Sequence, residues 1–429
     1  MTKKKSLLLL ILLLNMAVLL SCKSGAELSN KKPTINSKNS LEKPYVLLIS
    51  LDGFRWDYVE RFKPPHLSNF IKNGVRAESL IPSFPSKTFP NHYSIATGMY
   101  PDKHGIIGNS FYDYKKNLTY SIRDRVMVED GTFYGGLPIW IQADKANMVS
   151  ASYFFVGSEA NIQNLSPTYF HKYDGSIKND VRVAQAINWL QLPPKNRPHI
   201  ITMYFSNMDD TGHSFGPNND EELQKTLFAL DKTLGTLFDG VKKSGLPVNI
   251  IIVSDHGMAP VSISNFIPTE IIKDDDLFLT IDNGALLNIH PKNKDQTEAI
   301  FQQLKAKETN FKVYKTINTP GFEYIPKNKN WGAIQIIPDN GYYFSSKRGI
   351  EYRKKNAETV VGVHGYHPDN KEMQGIFYAN GPAFKKGYII PSVKNIHIYP
   401  LMCKILGLDI PTNIDGRLTA LENVLSNDK

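Results

Sequence analysis

Cysteine is nearly absent: Cys22 and Cys403 are the two in 429 residues. A disulfide framework needs more, so stability has to come from a packed core. Cys403 falls within the apolar pattern of a late helix and reads as a buried small hydrophobe rather than a reactive thiol. A dense basic block is also missing. The formal net charge is +9, with Lys3, Lys4 and Lys5 in a segment expected to be removed and the rest scattered. That pattern speaks against a groove for duplex nucleic acid and suits small anionic substrates. Internal repeats and low-complexity blocks are absent too. With 41% hydrophobic and 21% charged residues, the composition is that of an ordinary globular chain with length for a large core.

The N-terminus carries an address. MTKKK is a positively charged start, SLLLLILLLNMAVLL is apolar, and LLSC ends at Cys22. A short apolar run after lysines reads as a signal peptide (1–21) rather than a lasting transmembrane helix. LLSC resembles the lipobox of bacterial lipoproteins, in which the cysteine becomes the lipidated first residue. The expectation is an exported bacterial lipoprotein, anchored through Cys22 and facing periplasm or cell surface. Residues 22–43, rich in Ser, Lys and Asn, read as a flexible tether.

The folded region is expected over 44–418, with 419–429 as a loose tail. YVLLIS is a continuous apolar run, as a strand buried on both faces of a parallel sheet requires, and it runs into Asp52. Helical and strand patterns then alternate through HIITMYFS, the polar stretch NMDDTGHSFGP read as a loop, a long amphipathic helix stopped by Gly245, and VNIIIVS leading into DHG. This rhythm indicates α/β architecture with a mostly parallel central sheet flanked by helices. Between about 261 and 354 the rhythm changes to strand–helix–strand material, read as a smaller inserted cap.

The chemistry-bearing residues fall at strand ends. Asp52 follows one apolar strand, Asp209 and His213 lie beyond a second, and Asp255 and His256 come directly after a third. Ligands of open α/β sheets collect outside the carboxyl ends of strands, so these residues can converge, joined by His364 from a Gly-flanked loop. Imidazole and carboxylate donors without thiolate suit two catalytic metal ions that clamp an in-line displacement. Thr88, in PSFPSKTFPNHYSIATG, stands where a helix begins; the stretch alone allows either an N-cap or a nucleophile, and the six Asp and His positions favour the nucleophile.

Together the segments LISLDGFRWDY, PSFPSKTFPNHYSIATGMYPDKHGIIGNSFYD, MYFSNMDDTGHSFGP, IIVSDHGM and GVHGYHPDNKEMQGIFYANGPAF resemble the nucleotide pyrophosphatase/phosphodiesterase family of the alkaline phosphatase superfamily. The resemblance implies an alkaline-phosphatase-like fold and two zinc ions. One would be bound by Asp52, Asp255 and His256 with Thr88 at the same ion, the other by Asp209, His213 and His364. Asn109 would take the place of the family's phosphate-oxygen donor, and Phe89 and Tyr204 that of its nucleobase or leaving-group contacts. Ser206, Asn207, Met208 and Asp210 depart from the family's usual residues around Asp209, with Asp210 adding a negative charge beside the site.

The expected activity is hydrolysis of phosphodiester or pyrophosphate bonds of nucleotides through a covalent threonine intermediate. With no arginine evident beside Asn109 to grip a fully charged monoester, diesters and pyrophosphates are favoured. Three alternatives stand beside it: a phosphomonoesterase of the same superfamily, a lipid-headgroup phosphodiesterase, and a non-catalytic surface lipoprotein. The sequence indicates no oligomeric state.

Overall fold

The computed structural model describes residues 34–356 and 358–426. The signal segment 1–21 and Cys22 lie outside the described residues. No described helix is long and apolar enough to cross a membrane.

An eight-stranded sheet forms the centre, running Tyr388–Ile390, Val75–Ala77, Phe377–Asn380, Val248–Val253, Tyr45–Leu51, Ile200–Phe205, Ser150–Tyr153 and Tyr169–His171. Only Phe377–Asn380 runs against its neighbours; the other pairings are parallel. The sheet is mostly parallel, as its sequence rhythm indicates. The Tyr45–Leu51 strand shows why the runs are apolar throughout: all seven residues are buried. Val46 and Leu48 pack on one side with Tyr93, Trp140 and Tyr399. Tyr45, Leu47, Ile49 and Leu51 pack on the other with Trp189 and the Leu223–Val241 helix face. A strand with a core on each face has no polar side to show, because alternate side chains enter opposite helical layers.

The inserted region is built on an adjacent pair of strands. Ala259–Ser262 leads out and Val360–Val363 returns antiparallel to it, with Ala259 opposite Val363. Within it, a four-stranded antiparallel sheet (Phe278–Asp282, Leu287–Pro291, Ile334–Pro338, Phe311–Lys315) and the Thr297–Lys305 helix enclose their own apolar cluster.

Both ends of the described chain differ from their sequence reading. Residues 34–43, expected as part of the tether, pack onto the domain. Asn36 is buried, its amide donates to the Pro194 and Arg197 carbonyls, and its side-chain oxygen accepts from the Val149 N–H. The described part of the tail, 419–426, is docked as well: Leu421 and Val424 are fully buried, and the Ser426 N–H donates to the Ala383 carbonyl at 2.9 Å. A few polar or apolar anchors in a short segment suffice for docking, and composition averages hide them.

Candidate active site

Three parallel strands deliver the first carboxylates. Register pairs Leu51 with Phe205 and Ser50 with Val253, so the strands end level with one another. Asp52, the Asp209 segment and Asp255 therefore start from one edge. Asp52 and Asp255 are each 1% exposed.

The stretch expected as a polar loop after the Ile200–Phe205 strand is a helix, Asn207–Phe215. Asp209 and Asp210 in its first turn favour it through the helix dipole, which outweighs the weak propensity of Asn, Asp and Gly. Four residues apart, Asp209 and His213 share one face, with His213 Nε2 at 3.3 Å from Asp209 Oδ1. His364 arrives from the insertion: it follows the returning strand at once, and the Ala259–Val363 pairing carries it to the residues after Val253. His367, in the same loop, turns instead towards Phe84, ring centroids 6.5 Å apart.

Thr88 opens the Thr88–Thr97 helix itself; Lys87 holds the cap position and no side chain caps the helix. The N-cap reading of Thr88 is thereby removed. The turn before it is held by Asn91, which accepts from the Ser83 N–H and donates to the Pro85 and Lys87 carbonyls. Thr88 Oγ1 stands 3.3 Å from His256 Nε2.

Three buried carboxylate oxygens in this cluster, Asp52 Oδ1, Asp209 Oδ1 and Asp255 Oδ2, have no hydrogen-bond partner. Buried carboxylates without partners are strongly unfavourable, and a cation is what such a constellation fits. The histidines are oriented for the same end. His213 Nδ1 faces the Gly362 carbonyl, His256 Nδ1 the Gly257 carbonyl and His364 Nδ1 the Ser86 carbonyl, each at 2.8 Å. A carbonyl only accepts, so each Nδ1 carries the proton and each Nε2 keeps its lone pair, which in His256 faces the Thr88 hydroxyl at 3.3 Å. His256 Nε2 lies 3.4 Å from Asp52 Oδ1 and 3.1 Å from Asp255 Oδ2. The ring of His364 stacks on that of His256 at 3.6 Å.

Side-chain proximity also groups His92 with Asp52 and Asp255. Its nitrogens are both engaged: Nδ1 faces the Thr88 carbonyl at 2.9 Å and Nε2 the Ser50 hydroxyl at 2.7 Å. With its proton on Nδ1 and its lone pair taken, His92 positions Thr88 and Asp255 rather than offering a donor. Sequence reasoning missed it, although its place one helical turn after Thr88 was a signal.

Electrostatics follow from burial. Desolvation, then the neighbouring Asp255 and Asp209 carboxylates, push Asp52 well above the usual carboxylate range. Burial also raises Asp255, but His256 and His92 beside it bring it down to about 2. Desolvation holds His256 below, and His364 well below, the ordinary imidazole value, so both are neutral and ready to ligate at pH 7.

A cavity of about 310 Å³ adjoins the cluster, lined by Thr88, Asn109, Phe89, Phe154, Tyr173 and Tyr204 among others. Asn109 Oδ1 accepts the Phe89 N–H at 3.1 Å, which leaves its amide donors for a ligand. Phe89 is half-buried on the wall. Tyr204 has a second task beyond its expected contact role: only 9% exposed, it donates its hydroxyl to Asp52 Oδ2 at 2.5 Å. Tyr173, 40% exposed, presents a freer aromatic face and was missed, since nothing near it in sequence marks it. Its backbone N–H donates to Glu159, which also pairs with Arg125 on the same wall. The expectation of no arginine near Asn109 is thus corrected, although Glu159 neutralises this one.

Comparison with known proteins bears on this geometry. The family model for type I phosphodiesterase / nucleotide pyrophosphatase matches residues 46–367. Ectonucleotide pyrophosphatase/phosphodiesterase family member 1 of Mus musculus is 34% identical over 397 residues, covering 90% of this chain and 43% of that protein. Venom phosphodiesterase 2 of Crotalus adamanteus is 34% identical over 399 residues, covering 90% and 48%. The chain spans less than half the length of these curated relatives. The solved structure of murine ectonucleotide pyrophosphatase / phosphodiesterase 5, in an inactive form in complex with AMP, superposes with a TM-score of 0.81 at 30% identity, covering 90% of this chain and all of that one. The fold is of the alkaline-phosphatase type.

Proposed function

Since the chain belongs to the type I phosphodiesterase / nucleotide pyrophosphatase family, we propose that it hydrolyses phosphodiester or phosphoanhydride bonds of nucleotides, with Thr88 as nucleophile. The observation that carries this reading is the Thr88 hydroxyl, free of any capping role and 3.3 Å from His256 Nε2, beside three partnerless carboxylate oxygens.

Asp52, Asp255 and His256, with Thr88, would hold one ion; Asp209, His213 and His364 would hold the other. The imidazole and carboxylate donors suit zinc. A bound pair of such ions neutralises the carboxylates, lowers the pKa of a hydroxyl ligand and stabilises charge on phosphoryl oxygens. The chain's own groups supply position. Asn109 donates to a non-bridging phosphoryl oxygen, and the rings of Phe89 and Tyr173 enclose a nucleobase. Thr88 Oγ bonds to phosphorus as the bridging P–O bond breaks; the electron pair of the broken bond leaves with the first product, and the hydroxyl proton passes to solvent. Water then cleaves the phosphothreonine linkage and restores the hydroxyl.

A Thr88→Ala variant that still binds metal but loses about a thousandfold or more in turnover of a nucleotide p-nitrophenyl ester is the expected result. Full turnover would overturn the assignment of the nucleophile, and activity on lysophospholipid alone would move the substrate class to lipid headgroups. The same reading has the protein held at a membrane through a lipid on Cys22, supported by the lysine-led apolar run before it. Release of a Cys22→Ala variant into the soluble fraction checks this.

A further inference from the structure

The strands that deliver Asp52, Asp209 and Asp255 at their carboxyl ends also start level with one another. Register pairs Val46 with Ile200, Ile200 with Ser150, and Tyr45 with Val248. Their amino ends therefore define a second face, at the far end of the sheet from the site. Seven residues of the Tyr45–Leu51 strand put about 20 Å between the two.

Lysines scattered through the sequence meet on this face. Lys242 and Lys243 close the Asp220–Ser244 helix, just before the Val248–Val253 strand. Lys404 stands in the last turn of the Ile398–Leu406 helix, whose end lies against Lys43: a Cβ on Gly407 would be 3.0 Å from Lys43 Nζ. Lys43 itself precedes the Tyr45–Leu51 strand, and Lys195 precedes Ile200–Phe205. Lys38 stands beside them, because the Asn36 N–H donates to the Lys195 carbonyl and the Ser37 N–H to that of Asn147. Lys43 is half-buried and the other five are exposed, and none of the six has an ion-pair partner among the described residues. A helix dipole accounts for a lysine at a helix C-terminus, but Lys38 and Lys195 lie in loops. Of the acids on this face, Glu42, Asp239 and Asp409 are exposed and pair with none of these lysines. Asp144 turns instead to the Ser150 and Thr168 hydroxyls, at 3.0 and 3.1 Å. The described chain also begins here, since the Asn36 amide is held by the Pro194 and Arg197 carbonyls.

We infer that this face is a docking surface for a bilayer with anionic phospholipid headgroups, which keeps the Thr88 site turned away from that bilayer and open to the aqueous side. The inference rests on the membrane reading above and goes beyond it in fixing which surface meets the lipid. Each unpaired lysine close to an anionic leaflet strengthens association by roughly fivefold, and salt screens the attraction. Headgroups of the same leaflet then lie at the wrong end of the sheet to reach Thr88.

The test reconstitutes the full-length protein into vesicles of phosphatidylcholine, alone or with about one third phosphatidylglycerol, and reads lysine acetylation rates by mass spectrometry. At low salt Lys195, Lys242, Lys243 and Lys404 should react about threefold or more slowly in the anionic vesicles, with Lys312 and Lys347 of the inserted region unchanged. Salt at about 0.5 M should abolish the difference. Lys242→Glu/Lys243→Glu should relieve the protection of Lys195 and Lys404 and leave turnover of a soluble nucleotide ester unchanged. Equal rates in the two vesicle types, or protection of the inserted region instead, would overturn the docking face. Protection by soluble polyphosphate without protection by vesicles would make the face a general polyanion site and overturn it too. If the protein floats with neither vesicle type, the membrane reading and the docking face fail together; flotation with both and no selective protection sinks the face alone.

Discussion

The Tyr204 hydroxyl donates to Asp52 Oδ2 at 2.5 Å, and strand register places Tyr204 opposite Ser50, two residues before that carboxylate. The bond takes one Asp52 oxygen and leaves Oδ1 partnerless, aimed by a neighbouring strand.

Tyr204→Phe keeps the ring and removes this bond. Metal affinity should fall by roughly 10–100-fold, the usual effect of losing a group that orients a ligand. Activity at saturating metal should largely return. Chelator titration followed by metal add-back measures both, and unchanged affinity would show that Asp52 needs no such support.

Chelation should destabilise the protein, because Asp52, Asp209 and Asp255 then face one another with three orphan oxygens. The difference should reach about 2.7 kcal/mol when free ion stands at a hundred times its Kd. Melting curves with and without chelator read this, and an Asp255→Asn variant should respond less. Identical curves would argue against a resident ion.

Gly53 links the two halves of the cluster. Its φ is +63°, and a Cβ there would lie 2.8 Å from Asp209 Cα and 2.9 Å from Asp209 Oδ1. Gly53→Ala therefore incurs about 1–2 kcal/mol of backbone strain and pushes Asp209 out of place. Metal analysis should show loss from the Asp209 side, with reduced thermal stability. Full metal content would mean that the Asn207–Phe215 helix moves aside freely.

Acid should destabilise the fold through its buried histidines. Burial lowers His104 to about 3, and His290 and His397 to about 4. Between those values and the unfolded value of 6.5, the unfolded chain binds protons that the folded one refuses. Stability is then present above pH 6.5 and declines as pH falls through that window. His104 alone gives a slope of up to about 1.4 kcal/mol per pH unit. Urea midpoints at pH 7, 6 and 5 should fall less steeply in His104→Gln; equal slopes would remove His104 from the cause.

The strand ends carrying Asp52 and Asp255 were legible because a strand buried on both faces writes an unbroken apolar run, and the chemistry sits where that run stops. Thr88, His213 and His364 were legible through the motifs around them. The Asn207–Phe215 helix was not: its Asn, Asp and Gly content reads as a loop, and strand placement and the helix dipole override that reading.

The sequence by itself determined the layered α/β architecture and the donor types, since hydrophobic periodicity and residue chemistry are local properties. Only the tertiary structure decided that His92 has no lone pair to offer, that Tyr204 holds Asp52, and that Tyr173 faces the cavity. Each of these depends on which groups far apart in the chain satisfy one another's hydrogen bonds and charges. No local pattern encodes that pairing, because it is settled when the sheet and the insertion close around the site.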